Sequence, residues 1–229
     1  MPVPDQLGIS PLKIKSKIIL ILIVFFHSAV IAQEHNTAGQ ENYDGAVVAH
    51  EPKAENLDIY RLSGESDDDF ATGTQFNSNY FVTAGHVDFF KESGFKCKDI
   101  GCDLKFIENY QENHSQWRSP KPIEKVRLVG SGKDGGIRTV EGITLPAFHH
   151  MGDSPIAYQL IKADISKGMS GGPVYGEDGK IVGMVIGYFD ESSMDKYEAL
   201  KGLGRIGVFL PADEINRQWL KLGIEKDEP

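Results

Sequence analysis

The sequence predicts an all-β fold closed by one C-terminal helix, on three observations. From about residue 55 the chain breaks into short runs rich in β-branched and aromatic residues, with turn residues between them. Glycine is abundant, at 25 of 229 residues, which suits a fold with many tight turns. The only strong helical signal comes last, after the strand-like runs. Many short strands followed by a helix point to a β-barrel or β-sandwich with a helical tail.

The runs are, in order, Leu57 to Leu62, Phe70 to Phe76, Tyr80 to Ala84, Asp103 to Glu108, Ile123 to Val129, Thr139 to Leu145, Ile156 to Ile161, Gly172 to Tyr175, Lys180 to Tyr188 and Gly204 to Leu210. One hairpin is explicit. Pro173-Val174-Tyr175 leads through Gly176-Glu177-Asp178-Gly179 into Lys180-Ile181-Val182, and Asp-Gly supplies the positive φ angles of a tight turn. The helix opens at Pro211 and has Asp213 and Glu214 in its first turn. It repeats Ile215, Trp219 and Leu220 at helical spacing and ends at Gly223.

The N-terminus lies outside this pattern. Lys13, Lys15 and Lys17 precede an apolar run of nine residues, Ile18 to Phe26, and Val30-Ile31-Ala32 presents small residues to a signal peptidase. Residues 1–32 therefore read as a secretory signal peptide, with the mature chain beginning at Gln33. The run is too short to span a bilayer, so no stable membrane insertion is expected after cleavage. Residues 33–54 read as a polar N-terminal arm and 55–229 as the folded domain. Residues 1–32 carry three Lys and one Asp, which leaves 21 basic and 32 acidic side chains and a net charge of −11 on the mature chain. Such a surface argues against nucleic acid and anionic membrane as partners. Export to a secreted or periplasmic location makes a disulfide the expected state of the two cysteines, Cys97 and Cys102. Two thiolates without a nearby histidine make a poor metal site, and the His149-His150 pair has no third ligand at suitable spacing, so no metal is expected.

Two strings carry chemistry. In Tyr80-Phe81-Val82-Thr83-Ala84-Gly85-His86-Val87 an apolar strand delivers a histidine at its end, where a base can be held rigidly yet reach a substrate. In Gly168-Met169-Ser170-Gly171-Gly172-Pro173 a serine sits between glycines, which permit a sharp turn and close approach of a substrate backbone. The amides of Gly168 and Ser170 can converge on an oxyanion formed when Ser170 attacks a carbonyl.

Together these strings resemble the chymotrypsin-like (trypsin-fold) serine proteases, over roughly residues 55–222. The style is that of bacterial secreted members such as the glutamyl-endopeptidase-like enzymes. Thr83-Ala84-Gly85-His86 matches the histidine motif with Gly85 in place of the usual alanine. Gly168 to Pro173 matches Gly-x-Ser-Gly-Gly-Pro, and histidine precedes serine in the family's order, 84 residues apart. Ile181-Val182-Gly183-Met184-Val185 looks like the strand after the serine motif, and Gly207-Val208-Phe209 before a helix looks like the family's ending.

The resemblance implies two packed antiparallel β-barrels, about 55–120 and 121–211, then the C-terminal helix, with the active site in the cleft between the barrels. It implies His86 as general base, Ser170 as nucleophile, and Gly168 and Ser170 as the oxyanion hole, with no cofactor. Asp103-Leu104-Lys105-Phe106-Ile107 resembles the strand start that carries the third catalytic residue, with Asp99 and Asp88 as competitors. A bond between Cys97 and Cys102 would brace the loop before Asp103. Asp164, six residues before Ser170, aligns with the floor of the primary specificity pocket, and Ile186 and Tyr188 with its wall. Met169 stands where zymogens of the family have the Asp that pairs with a new N-terminus, so that switch should be absent. The expected activity is an exported serine endopeptidase acting on peptide or protein substrates. The rival is a protease-like fold kept as a binding module with catalysis lost.

Overall fold

A computed structural model describes residues 58–89, 94–132, 134–151, 153–190 and 203–224. The signal peptide, the polar arm, Leu57 and the acidic segment Glu191 to Glu198 lie outside these described residues.

The first half is a five-stranded antiparallel sheet built from β1 (Ile59–Ser63), β2 (Phe70–Gln75), β3 (Tyr80–Thr83), β4 (Gly94–Lys96) and β5 (Lys105–Glu108), in the order β1-β2-β3-β5-β4. The second half is a closed antiparallel barrel of β6 (Lys125–Ser131), β7 (Ile137–His149), β8 (Tyr158–Lys162), β9 (Pro173–Gly176), β10 (Ile181–Phe189) and β11 (Ile206–Pro211). A helix, α1 (Ala212–Leu222), follows directly. The all-β, two-unit fold with a C-terminal helix is thus the observed one.

Several boundaries differ from the sequence expectation. β4 is an added strand: three exposed residues pair with β5 at the sheet edge and bury nothing that patterning could detect. β5 begins at Lys105, so Asp103 precedes the strand instead of opening it. β7 runs 13 residues, well beyond Leu145, because a register shift between Thr144 and Phe148 lets Pro146 be carried without breaking the strand. The β9–β10 hairpin turns at Gly176 to Gly179, with the Gly176 amide donating to the Lys180 carbonyl (2.8 Å) and Gly179 at φ +76°.

One apolar cluster fills the barrel, around Leu128, Ile161, Ile165, Val182, Val185 and Phe209. A larger one joins the two halves: Leu62, Phe81, Val82 and Phe106 of the sheet pack with Tyr158, Met184, Leu210 and Ile215 of the second half. α1 closes this second cluster. Trp219, buried on its inner face, lies edge-on or tilted against Phe76, Tyr80 and Phe106, with ring centres 4.7–5.5 Å apart. The tail of the chain therefore returns to the first sheet. The linker between the halves is pinned by Arg118, which bonds both Glu124 and Asp178 (2.8 Å to Asp178). Its own amide donates to the Ile181 carbonyl (2.9 Å).

Candidate active site

His86 sits three residues beyond β3. The turn holding it is closed by Val87 N–H donating to the Ala84 carbonyl (3.1 Å) and Asp88 N–H donating to the His86 carbonyl (2.9 Å). β3 and β5 are in register at Thr83 and Lys105, so continuing both chains by two residues brings Gly85 against Asp103. A side chain at Gly85 would put its Cβ 2.9 Å from the Leu104 nitrogen and 3.0 Å from Asp103 Oδ1. A larger residue at this position would therefore push on the chain that carries Asp103.

Asp103 meets His86 twice. Its Oδ1 accepts from the His86 backbone N–H (2.7 Å), and its Oδ2 lies 2.6 Å from Nδ1 of the ring. A carboxylate only accepts, so Nδ1 carries the proton and Nε2 is left with the lone pair. The bond to Asp103 raises the imidazole above its ordinary 6.5. Burial opposes the rise, and the charges of Asp103 and Asp88 add to it. The competing carboxylates are engaged elsewhere. Asp88 is exposed and bonds Lys96 Nζ (2.8 Å). Asp99 faces α1, where Lys221 Nζ (2.6 Å), Gln218 Nε2 (2.8 Å) and Arg217 (3.2 Å) converge on its Oδ2 and hold its carboxyl below the usual carboxylate range. Cys97 and Cys102 are joined in a disulfide that closes the loop carrying Asp99 and ending one residue before Asp103.

Ser170 lies in a loop that the first sheet grips from below. Thr72 and Thr74, two residues apart on β2 and fully buried, donate their hydroxyls to the Gly168 carbonyl (2.7 Å) and the Gly171 carbonyl (2.6 Å). The Thr72 amide donates to the Ser170 carbonyl (2.9 Å), and the Gly171 amide to the Val185 carbonyl (2.7 Å). The turn needs its glycines: Gly168 has φ +93° and Gly171 φ +88°, and a Cβ at Gly171 would fall 1.8 Å from the Thr72 carbonyl oxygen. The Gly168 and Ser170 amides donate to no acceptor among the described residues. The Ser170 hydroxyl donates to the Ile186 carbonyl (3.0 Å).

The overall fold is shared with solved structures. The Mycobacterium tuberculosis protease Rv3671c, in an inactive form, aligns at TM-score 0.54 and 18% identity over 74% of this chain and 91% of that one. Its active form aligns at TM-score 0.52 and 18% identity over 76% and 84%. The fold is that of the chymotrypsin-like serine proteases. A serine endoprotease from Yersinia pestis aligns within the same fold at TM-score 0.53 and 18% identity, over 76% of this chain and 68% of that one. No protein-family model matches the chain and no curated protein matches it in sequence.

Of the expected specificity residues in this chymotrypsin-like fold, Ile186 is buried and supplies the carbonyl that Ser170 contacts, and Tyr188 is 37% exposed. Asp164 is not a buried carboxylate. Its side chain is 81% exposed and bonds Arg205 (3.2 Å), whose guanidinium also lies 4.4 Å from the Tyr188 ring centre. Its neighbour Ile165 is the buried residue, packed on Gly207, where an added Cβ would meet Ile165 Cδ1 at 2.1 Å. His149 meets Phe189 edge-on, with ring centres 4.9 Å apart, His150 faces the Ser154 carbonyl, and the described residues hold no cluster suited to a metal ion. Sequence reading missed Thr72, Thr74 and Tyr158. The first two alternate on one strand face, but nothing local tells that their partners lie about a hundred residues away.

Proposed function

We propose that the protein is an exported serine endopeptidase. His86 takes the proton of Ser170, Ser170 attacks the scissile carbonyl, and the acyl-enzyme is then hydrolysed by a water that His86 deprotonates. Asp103 orients the ring and stabilises the imidazolium. Gly168 and Ser170 amides receive the oxyanion. The observation that carries the reading is the pair of hydrogen bonds that Asp103 accepts from His86, one from ring Nδ1–H and one from the backbone N–H, which leaves the Nε2 lone pair to act as base.

The signal-like N-terminus and the disulfide support export, and among the described residues no helix is long and apolar enough to cross a membrane. For specificity, the Asp164 carboxylate is exposed and paired with Arg205, which argues against a preference for Arg or Lys before the cleaved bond. Ile186 and Tyr188 remain the residues assigned to substrate contact.

A fluorophosphonate probe tests the mechanism on the purified protein. Only an activated serine reacts, so wild type should be labelled on Ser170 and Ser170→Ala should not. Ser170→Ala should also lose on the order of 10⁶-fold in kcat. An unlabelled, correctly folded wild type would favour the binding-module alternative.

A further inference from the structure

We propose that Tyr158 is a positioning residue of the active site, a phenol on the barrel that fixes the backbone from which Asp103 reaches His86. The inference rests on the catalytic reading above and adds to it a contact between the two halves.

Asp103 needs such a support. β5 starts at Lys105, so the backbone of Asp103 lies outside the ladder that holds its neighbours. The chain before it is a tight loop, with Gly101 at φ +71° and a bond from the Cys102 amide to the Asp99 carbonyl (3.1 Å). Into this loop β8 sends Tyr158. Its hydroxyl accepts from the Asp103 amide (2.8 Å) and donates to the Gly101 carbonyl (2.7 Å). A neutral phenol has one proton to give, and this one is given while an incoming N–H uses a lone pair, so both polar functions are committed to the two residues flanking Cys102.

The phenol is well suited to the task. Its ring is fully buried in the cluster joining the halves, which fixes its direction. Burial pushes its ionisation up to about 12, so it stays a donor at any working pH. Gly101 also presses on the barrel side, since an added Cβ there would meet Ser154 Cβ at 2.7 Å. The disulfide sets the loop's covalent length, α1 holds its far side through Asp99, and Tyr158 holds the side next to the catalytic carboxylate. A shift of the Asp103 backbone moves both carboxylate oxygens against His86, and displacements well under an ångström matter in such a constellation.

The test uses the mature full chain and Tyr158→Phe, which keeps the ring and deletes the hydroxyl. His86 is titrated by NMR, a readout that needs no turnover. Its midpoint should fall from its raised value toward the ordinary 6.5. kcat should drop by about 10- to 100-fold with KM nearly unchanged. In an Asp103→Asn background the same change should cost nothing further. An unshifted His86 titration, or a loss that simply multiplies with that of Asp103→Asn, overturns the proposal. If Tyr158→Phe does not fold, hydrogen exchange in wild type decides: the Asp103 amide should be protected, and exchange at the rate of an open loop overturns the idea. Labelling of wild-type Ser170 by the fluorophosphonate keeps the two readings apart. An unlabelled wild type whose His86 midpoint still falls in Tyr158→Phe rejects the catalytic reading and upholds the positioning contact.

Discussion

Asp103→Asn removes the charge but not the shape of the group on which His86 leans. Both carboxylate oxygens are in use, one by the His86 backbone N–H and one at Nδ1. An amide has one oxygen and one NH₂. If its oxygen takes the backbone N–H, the NH₂ faces Nδ1, which must then accept, and the ring proton moves to Nε2. If the amide flips, its NH₂ opposes the backbone N–H, donor against donor, and that hydrogen bond is lost, so the first orientation wins. The histidine is then held in the tautomer that cannot take the Ser170 proton. kcat should fall by about 10⁴-fold at neutral pH, the scale of this error in a Ser-His-Asp triad, or about 5 kcal/mol of barrier. The measurement is turnover of a peptide substrate, with thermal unfolding as the check that the fold survives. Asp99→Asn is the paired control. It releases Lys221, Gln218 and Arg217 and should loosen α1, lowering the melting temperature while touching kcat far less. The assignment fails if Asp99→Asn is the more damaging of the two, or if Asp103→Asn keeps near-normal turnover.

The bond to Asp103 also sets a pH signature. With His86 raised above 6.5, the neutral base is lost as pH falls through that raised value, so the acid limb of kcat/KM should lie above 6.5 and move down toward it in Asp103→Asn. By the same linkage the folded state gains most below about 6.5, and this gain disappears as pH rises through the raised value, which pH-dependent thermal melts would register. Asp164→Ala should leave the preference before the cleaved bond unchanged in a peptide library; a switch away from Arg or Lys would restore Asp164 to the pocket floor. Gly171→Ala should cost about 2–5 kcal/mol, from a left-handed backbone at φ +88° and a Cβ 1.8 Å from the Thr72 oxygen. A denaturant midpoint shift worth less than about 1 kcal/mol would mean that the loop relaxes freely.

His86 and Ser170 were legible because each sits in a short local string whose glycines and strand residues have a physical purpose. Asp103 was picked out by its likeness to a strand start, with Asp99 and Asp88 left as competitors. Choosing among them depends on the register of β3 against β5, and on α1 claiming Asp99 from more than a hundred residues away; neither is written near the aspartates. Asp164 shows the opposite failure. Its place six residues before Ser170 suggested a buried counter-charge, yet exposure and Arg205 decide its environment, and Arg205 lies 41 residues downstream. β4 escaped because an edge strand of three exposed residues has no apolar alternation to detect.

The contacts that position the site cross between the halves in both directions. The sheet that carries His86 sends Thr72 and Thr74 to the serine loop, while the barrel that carries Ser170 sends Tyr158 to the aspartate loop. Each half therefore holds a loop of the candidate site borne by the other, and the large apolar cluster lies between them. The backbone of the serine loop is tied at Gly168, Ser170 and Gly171, so its geometry is set before substrate arrives. The hydroxyl itself is held by only one hydrogen bond, to the Ile186 carbonyl, and such a bond is worth about 1 kcal/mol net. Rotation about a single side-chain bond redirects that proton, whereas rebuilding the loop would break three or more buried hydrogen bonds.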